Sequence, residues 1–327
     1  MPKLENTIPP STTSRGKKFL KDIIKILLVA IVLYVVYLKL SENWAEVVNY
    51  SWTLNIPLLL LSVLIHLLTF LLFSRVWCIL IKAFGFNVSL KHAFKISYIT
   101  NLGRYIPGKI WPVFGMLYYA KKIDISREVA ISSWIVAQIF TIPPSLLAGF
   151  LFIVFSPEIM TSNVLQFLNI WVYLAAAVIF LFSILLIVAP NKVFSLFNIF
   201  LRKIGRQEIQ FEISVKTALY VYFGYFICWL CYGFAFWLFL SSIVSNISLP
   251  IIPTVGSFIL AYQIGYLALF APGGIGVREL VITVILTPYL GSITAGVAIA
   301  ARIWNMIVEI IAASIAWSIR FSQKKFS

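Results

Sequence analysis

Long apolar runs separated by short polar segments dominate this chain. Two further apolar stretches, Ala93–Ala120 and Ile251–Tyr289, are interrupted by glycine, proline and charge. The pattern predicts an all-α integral membrane protein with about six transmembrane helices and two broken segments. A bilayer-crossing helix needs about 20 apolar residues, and six runs meet that length: Leu20–Leu40, Leu54–Phe73, Val129–Phe155, Leu165–Ala189, Ser214–Leu240 and Ile293–Ile319.

The second interrupted stretch contains a segment that no continuous transmembrane helix would favour. Ala271–Leu280 reads Ala-Pro-Gly-Gly-Ile-Gly-Val-Arg-Glu-Leu, and the first stretch is broken similarly across Asn101–Trp111. Proline removes a helical donor and glycine weakens a helix. Non-helical backbone is tolerated at membrane depth only inside protein or beside a water-filled cavity. We therefore interpret both stretches as re-entrant broken-helix hairpins whose tips are the two halves of one site.

The composition supports a membrane protein and gives the charge a membrane role. Of 327 residues, 61% are hydrophobic and 11% are charged, against about 25% charged in a soluble domain. The net charge of +15 lies in short loops and at the termini, which favours positive-inside topology and contact with anionic headgroups over nucleic-acid binding. We predict a cytoplasmic tail over 1–19, one membrane domain over 20–320 and a basic cytoplasmic tail over 321–327.

The loop charges give a topology. Basic residues cluster in 82–95, 121–127 and 192–216, whereas the loops at Glu42 and Glu158 carry few. The positive-inside rule then places both termini in the cytoplasm of a multi-pass plasma (inner) membrane protein, provided that each hairpin enters and leaves on one side. Three full spans separate the hairpins, so they are predicted to enter from opposite sides.

Short matches between the halves suggest a duplication. Asn87-Val-Ser-Leu precedes the first Pro-Gly pair and Asn246-Ile-Ser-Leu the second, while Val129-Ala-Ile and Val297-Ala-Ile follow them. With the opposed hairpins, these matches predict inverted repeats, a plan that recurs in transporters. The predicted halves are about 54–155 and 214–320.

Several charges fall at membrane depth and need partners. An ionised side chain at the bilayer centre costs about 2.5 to 3.5 kcal/mol on insertion scales. One interpretation is that Arg302–Glu309 and Arg278–Glu279 neutralise each other within the bundle. The other is a polar cavity for an anionic headgroup, because positive helix ends and arginine both bind phosphate. Four aromatic residues are candidates to line such a cavity: Tyr105, Trp111, Tyr262 and Tyr266.

Signatures of enzymes, cofactors and metals are absent from the sequence. It contains neither H-E-x-x-H nor G-x-S-x-G, and its aspartates, Asp22 and Asp124, lie at membrane edges. A glutamate beside an arginine is a poor general base, because the positive charge lowers its pKa. Cys78, Cys228 and Cys231 are interpreted as apolar packing residues. We predict no catalytic residue, no metal site and no cofactor.

The two broken motifs resemble those of a known family. Gly103-Arg-Tyr-Ile-Pro-Gly-Lys-Ile-Trp111 and Ala271-Pro-Gly-Gly-Ile-Gly-Val-Arg-Glu279 are similar to the lysylphosphatidylglycerol synthase transmembrane-region, or flippase-like, family, over roughly Leu20 to Arg320. The resemblance implies a stand-alone member without the soluble synthase domain. In bifunctional members the membrane half is implicated in moving lipid between leaflets, and the soluble domain makes the aminoacyl lipid.

The resemblance and the charges together define a predicted site and function. We expect translocation or binding of an anionic phospholipid or a polyprenyl-phosphate-linked lipid, without enzyme activity. The alternative is a non-transporting membrane partner of a lipid-modifying enzyme or glycosyltransferase. The predicted substrate-binding residues are Arg104, Tyr105, Pro107, Gly108, Lys109, Pro272, Gly273, Gly274, Gly276, Arg278, Glu279, Arg302 and Glu309; Arg302 and Glu309 come from the charge argument alone.

Overall fold

The computed structural model describes most of the membrane domain. The described residues are 27, 34, 37–38, 41–105, 111–161, 169–203, 205, 208–209, 211–245 and 248–320. The two predicted tails, Pro107, Gly108, Lys109 and Asn246, and nearly all of the predicted first helix lie outside them.

Helices account for nearly all of the described structure, and no strand occurs among the described residues. The prediction of an all-α membrane protein is confirmed. The helices are α1 Trp44–Asn49, α2 Ile56–Lys82, α3 Leu90–Asn101, α4 Trp111–Lys121, α5 Arg127–Val154, α6 Pro157–Met160, α7 Asn169–Val188, α8 Pro190–Lys203, α9 Val215–Ile243, α10 Ile251–Leu267, α11 Val277–Leu290 and α12 Thr294–Ser318. Short 3-10 turns occupy Leu102–Tyr105, Pro272–Gly274 and Gly291–Ile293.

Within the described residues, five helical segments are long and apolar enough to cross a membrane. They are Ile56–Lys82, Arg127–Val154, Ile170–Val188, Val215–Ile243 and the segment Pro272–Ser318, which contains α11 and α12. The prediction ended the second span at Phe73, but α2 continues to Lys82, because a helix does not stop where its apolar run stops. Residues 190–203 were predicted as a basic loop and instead form the amphipathic helix α8.

Both interrupted stretches form helical hairpins. In the first, α3 runs into the 3-10 turn Leu102–Tyr105, and α4 packs back along α3. In the second, α10 is followed by the turn Pro272–Gly274 and by α11, which packs against α10. Gly273, Gly274 and Gly276 have φ values of 58°, 72° and 81°. L-residues with a side chain rarely adopt this left-handed backbone, so the glycines make the second tip possible.

The tips of the two hairpins meet inside the bundle. The turn Leu102–Tyr105 contacts the turn Pro272–Gly274. A Cβ added to Gly273 would lie 2.9 Å from the Tyr105 ring, which shows how closely they approach. Two segments that are 167 positions apart in the sequence (272 against 105) therefore share one location.

The two long helices α2 and α9 pack antiparallel along their whole length. At one end, the Asn55 N–H donates to the Ser242 carbonyl at 2.8 Å and the Thr53 N–H donates to the Ile243 carbonyl at 3.1 Å. Towards the other end, Gly224 lies against Val76. An antiparallel pair at the centre fits two repeats that point in opposite directions across the membrane.

Two further helix pairs also join one predicted half to the other. The second hairpin's α10 packs along α5 of the first half, where Gly149 faces Leu260 and Gly256 faces Phe152. The first hairpin's α3 packs along α12 of the second half, where Lys95 donates to the Trp317 carbonyl at 3.4 Å. Both of these pairs are antiparallel as well. This pattern is what an inverted repeat would produce, and the repeat itself stays a prediction.

The main hydrophobic core lies between α2, α9, α10 and α12. Tyr232, Phe236, Phe258 and Trp304 pack there as one aromatic group, with Phe236 stacked on Phe258 at 4.5 Å between ring centroids. His66 is fully buried among these rings, 4.7 Å from Tyr232 and 4.6 Å from Trp304. The core holds the helices that carry the charged residues at fixed distances.

Candidate functional site

The membrane-depth charges converge from three separate elements. Arg104 lies in the first hairpin tip, Arg278 and Glu279 lie in the first turn of α11, and Arg302 and Glu309 lie on α12. Glu279 is 5% exposed and Glu309 is 3% exposed. Because carboxylates this deeply buried need partners, their contacts decide what the site can bind.

Glu309 is bound by the first hairpin tip and by its own helix. Arg104 Nη1 lies 3.4 Å from Glu309 Oε1, and the Tyr105 hydroxyl donates to Oε2 at 2.8 Å. Asn305, one turn earlier on α12, donates its amide to Oε1 at 2.8 Å and accepts from the Tyr232 hydroxyl at 2.5 Å. Both oxygens of Glu309 are therefore satisfied within the protein, and the network joins the hairpin tip to α9 and α12.

Glu279 forms the second ion pair, with Arg302. Arg302 Nη1 lies 2.5 Å from Glu279 Oε1, so this contact joins α11 to α12. The second oxygen of Glu279, Oε2, is buried and has no hydrogen-bond partner within the described part of the chain. Each buried carboxylate thus pairs with an arginine from another element, and the two pairs hold both hairpins against α12.

The pairs named in the first interpretation, Arg302–Glu309 and Arg278–Glu279, are not the pairs that form among the described residues. Residues seven apart on a helix are separated by about 10.5 Å along its axis, which is too far for Arg302 to reach Glu309 closely. Neighbouring residues point about 100° apart around a helix, so Arg278 and Glu279 face different sides of α11. The structure pairs Arg104 with Glu309 and Arg302 with Glu279 instead.

With these two ion pairs formed, Arg278 has no carboxylate partner among the described residues. Its guanidinium carbon lies 3.9 Å from the centre of the Tyr262 ring, a cation–π contact. Its buried Nε has no hydrogen-bond partner in the part of the chain that the structure describes. The side chain fits against Gly265 and Gly274, where an added Cβ would lie 2.5 Å from Arg278 Cγ and 2.8 Å from Arg278 Nε respectively.

Tyr262 links this free cation to the first hairpin. Its hydroxyl accepts a hydrogen bond from Arg104 Nη1, while its ring face contacts Arg278. Two guanidinium groups from different hairpins therefore meet around one tyrosine. Three arginines and two glutamates give the site one net positive charge (3 − 2 = +1).

A cavity of about 360 Å³ opens beside Arg104 and Arg278. It lies within the part of the bundle that leads from the hairpin tips to the ends of the helices at Lys82, Arg127 and Lys216. This volume is within the range of small-molecule sites, about 300 to 1,000 Å³. Other side chains in its wall include Trp77, Tyr98, Asn101, Trp134, Gln138, Thr141, Tyr225, Trp229, Tyr232, Tyr262, Gln263 and Tyr266.

Arg104, Arg278 and Arg302 form a layer between two cavities, which we call the arginine layer. The side of this layer opposite the larger cavity is nearly filled. Its cavity measures about 20 Å³ and lies against α12. Four predicted binding residues line it, Tyr105, Arg278, Glu279 and Arg302. Three others line the larger cavity, Arg104, Gly273 and Gly274, and Arg278 lies between the two cavities and lines both.

The remaining predicted residues have other positions. Pro272 and Gly276 form the second tip, and Glu309 lies in the first ion pair. Of the four aromatic candidates, Tyr262 and Tyr266 line the larger cavity. Trp111 is 48% exposed and lines neither cavity.

Sequence reasoning missed Asn305, Tyr232, Gln138 and Gln263. Asn305 lies between Arg302 and Glu309 in the sequence, three positions after one and four before the other, so its position on the charged face of α12 was available. Gln138 and Gln263 are the glutamines within the long apolar helices, and that isolation was a usable signal. Nothing separates Tyr232 from the many other aromatic residues in the sequence.

The model of a known family matches nearly the whole chain. It is described as the lysylphosphatidylglycerol synthase TM region, and it matches residues 23–314. This chain belongs to that family. The resemblance expected from the two hairpin motifs is confirmed. The lysylphosphatidylglycerol synthase TM-region family is the membrane part of that synthase, so the chain is a multi-pass membrane protein related to lipid modification or translocation. A search of curated proteins finds no match.

Proposed function

We propose that this protein binds an anionic membrane lipid and moves its headgroup between leaflets, without enzyme activity. The headgroup occupies the 360 Å³ cavity beside Arg104 and Arg278 while the tails stay in the bilayer. The membrane is the plasma membrane, with both termini in the cytoplasm, because that orientation places the basic loops inside. The cavity then lies on the cytoplasmic side of the hairpin tips.

One observation carries this proposal. Arg278 lines the cavity, has no carboxylate partner among the described residues, and holds a buried Nε without an acceptor. An unpaired cation inside a membrane protein is costly, and a phosphate would supply both the missing charge and the missing acceptor. Arginine suits this role because its planar fork binds phosphate through two parallel hydrogen bonds.

Local geometry adds to the positive potential at the same place. Arg278 is the second residue of α11, whose N-terminus follows the glycine turn at Gly273 and Gly274. The first backbone N–H groups of a helix carry partial positive charge and favour anions. The two carboxylates do not offset this, because each is held by an arginine on another element.

The test compares Arg278→Ala with Arg202→Ala in proteoliposomes. Fluorescent anionic and zwitterionic phospholipids are loaded, and the fraction moved between leaflets is measured by quenching from outside. We expect Arg278→Ala to lower the rate for the anionic lipid by about 10- to 100-fold, because a hydrogen bond to a charged group contributes about 1.5 to 3 kcal/mol. Arg202 is 68% exposed on α8 and pairs with Glu208, so its replacement should leave the rate unchanged.

The result that overturns the proposal is full anionic-lipid transport by a folded Arg278→Ala protein. Folding is checked by gel filtration and by thermal unfolding in detergent. Native mass spectrometry of the same samples gives an independent measurement. An anionic lipid retained by the wild type should be lost from Arg278→Ala and kept by Arg202→Ala.

The family supports a second candidate function. Because the family model describes the membrane part of a synthase, this chain could act as the membrane partner of a separate lipid-modifying enzyme or glycosyltransferase. That role predicts that an enzyme co-purifies with the protein. It also predicts that Arg278→Ala leaves both the partnership and the product level unchanged.

A further inference from the structure

The charges in the cavity wall distinguish between kinds of headgroup. Arg104 and Arg278 are the charged residues among its lining positions. The nearby carboxylates lie elsewhere: Glu279 faces the smaller cavity and Glu309 is engaged by Arg104, Tyr105 and Asn305. Among the described residues, an ammonium group in the cavity would meet two guanidinium groups and no available carboxylate. A headgroup that carries an amine is therefore disfavoured, although a phosphate is favoured.

The uncharged polar groups of the wall indicate what accompanies the phosphate. Among the described residues, Gln263 Nε2 is buried without an acceptor, and Gln138 faces the cavity without a hydrogen bond. A primary amide offers two donors and an acceptor. Hydroxyl groups both donate and accept, so they match amides better than a methyl or an ammonium group does.

The remaining wall is aromatic and held rigidly. Trp229 donates its indole N–H to the Thr141 hydroxyl at 3.1 Å and contacts Tyr232 and Tyr262. Trp134 and Tyr225 also line the cavity. Flat apolar faces with polar edges suit a compact group that has C–H bonds on one side and hydroxyls at its rim. Small aliphatic headgroups would leave these faces without a partner.

From these three features we infer that the ligand is a lipid phosphate ester whose headgroup is uncharged and rich in hydroxyls, and that lipids carrying an amine are rejected. The inference rests on the proposed function, because it specifies the ligand of the same cavity. Two sources share this chemistry, a glycerophospholipid with a glycerol or inositol headgroup and a polyprenyl phosphate that carries a sugar.

The experiment is a transport comparison in proteoliposomes containing the full chain. Fluorescent lipids with the same acyl chains are used: phosphatidylglycerol, phosphatidylinositol, phosphatidic acid, phosphatidylethanolamine and lysyl-phosphatidylglycerol. A polyprenyl-phosphate hexose forms a separate arm. We expect at least one of the hydroxylated phosphate lipids to move at least tenfold faster than the two amine-bearing lipids and than phosphatidic acid. The arm that is fastest identifies the source.

The outcomes separate this inference from the proposed function. If phosphatidylethanolamine or lysyl-phosphatidylglycerol moves as fast as the hydroxylated lipids, the headgroup inference is overturned while lipid transport stands. If phosphatidic acid equals them, the hydroxyl requirement is overturned. If no lipid in either arm moves faster than in protein-free vesicles, the proposed function itself fails, and the inference with it.

A pair of variants at Gln138 tests the charge argument directly. Gln138→Glu adds one carboxylate to the cavity wall and should raise the transport ratio of lysyl-phosphatidylglycerol to phosphatidylglycerol at least tenfold. Gln138→Leu has a similar size and adds no charge. It should slow the hydroxylated lipids without improving the amine-bearing ones. An unchanged ratio in a folded Gln138→Glu protein would overturn the inference.

Discussion

Helices α5 and α12 have similar packing positions in the two predicted halves but carry different side chains. Each packs antiparallel to the first helix of the other half's hairpin. The middle of α12 carries Arg302, Asn305 and Glu309, whereas the middle of α5 carries Gln138 and Thr141 and no charged residue. The two helices thus pack in a similar way, whereas their polar side chains differ.

The two sides of the arginine layer differ accordingly. On the α12 side, the ion pairs draw both hairpins inward and leave a cavity of about 20 Å³. On the α5 side, no carboxylate lines the cavity among the described residues, and the cavity measures about 360 Å³. The protein's own carboxylates fill one side, and the other is the side on which the proposed lipid anion would bind.

Removing the carboxylate of Glu309 should have the largest effect. Glu309→Ala leaves Arg104 buried without its partner and removes the acceptor of Tyr105 and Asn305. Breaking a buried pair by removing one member costs about 3 to 5 kcal/mol. We expect a clear fall in the thermal unfolding temperature in detergent. Glu158→Ala is the control, because it removes an exposed carboxylate bound by the Tyr289 hydroxyl. Its unfolding temperature should fall far less. Equal falls in the two variants would contradict the role of Glu309 in holding the first hairpin against α12.

Displacing Arg278 without removing it should have a smaller, more specific effect. In Gly265→Ala the new Cβ would lie 2.5 Å from Arg278 Cγ and push the guanidinium off Tyr262. Overpacking of this kind costs about 1 to 3 kcal/mol. Gly149→Ala is matched, because its Cβ would lie 2.5 Å from Leu260 Cγ in the α5–α10 contact. Both variants should lose similar stability in thermal unfolding, and only Gly265→Ala should lose anionic-lipid binding. Equal losses of binding in the two variants would argue against Arg278 as the residue that binds the lipid.

Thiol labelling should distinguish the larger cavity from the smaller one. In a background with Cys78, Cys228 and Cys231 replaced, we compare Gln138→Cys in the cavity with Ala298→Cys on α12, where Ala298 is 1% exposed. We expect Gln138→Cys to react at least tenfold faster with a membrane-impermeant reagent, a difference of about 1.4 kcal/mol in barrier. In inverted vesicles the reagent should reach it, whereas in intact cells it should not.

Equal labelling rates at the two positions would remove the distinction between the sides. Fast labelling of Gln138→Cys in intact cells would instead reverse the predicted topology. The two failures are therefore distinct, and each corrects a different part of the proposal.

The smallest effect is expected for the substitution His66→Phe. Both of its ring nitrogens are buried without a hydrogen-bond partner among the described residues, and its ring packs on Phe70 at 4.5 Å. Because the contacts are those of an aromatic ring, His66→Phe should keep stability within about 1 kcal/mol of wild type, or raise it. His66→Ala should lose about 3 kcal/mol or more, as large-to-small core changes do. A transport defect in His66→Phe would show that the nitrogens matter.

Much of the architecture could be predicted because it depends on local sequence. Four predicted spans match α2, α5, α7 and α9 to within a few residues at most ends, and α12 matches a fifth. The exceptions are the far end of α2 and the helix α8, where polar and amphipathic residues extend helical structure beyond the membrane. Apolar periodicity reports burial in lipid, and it does not report where hydrogen bonding of the backbone ends.

The sequence by itself determined that this is an all-α membrane protein with two broken segments and buried charges. Those features follow from transfer free energies and from the backbone preferences of proline and glycine, which act over a few residues. Only the tertiary structure decided which arginine remains without a carboxylate. Arg104, Glu279 and Glu309 belong to three elements, and their pairing depends on the direction of each side chain once the hairpins meet α12. Because a direct neighbour on a helix faces away, the adjacent Glu279 could not neutralise Arg278.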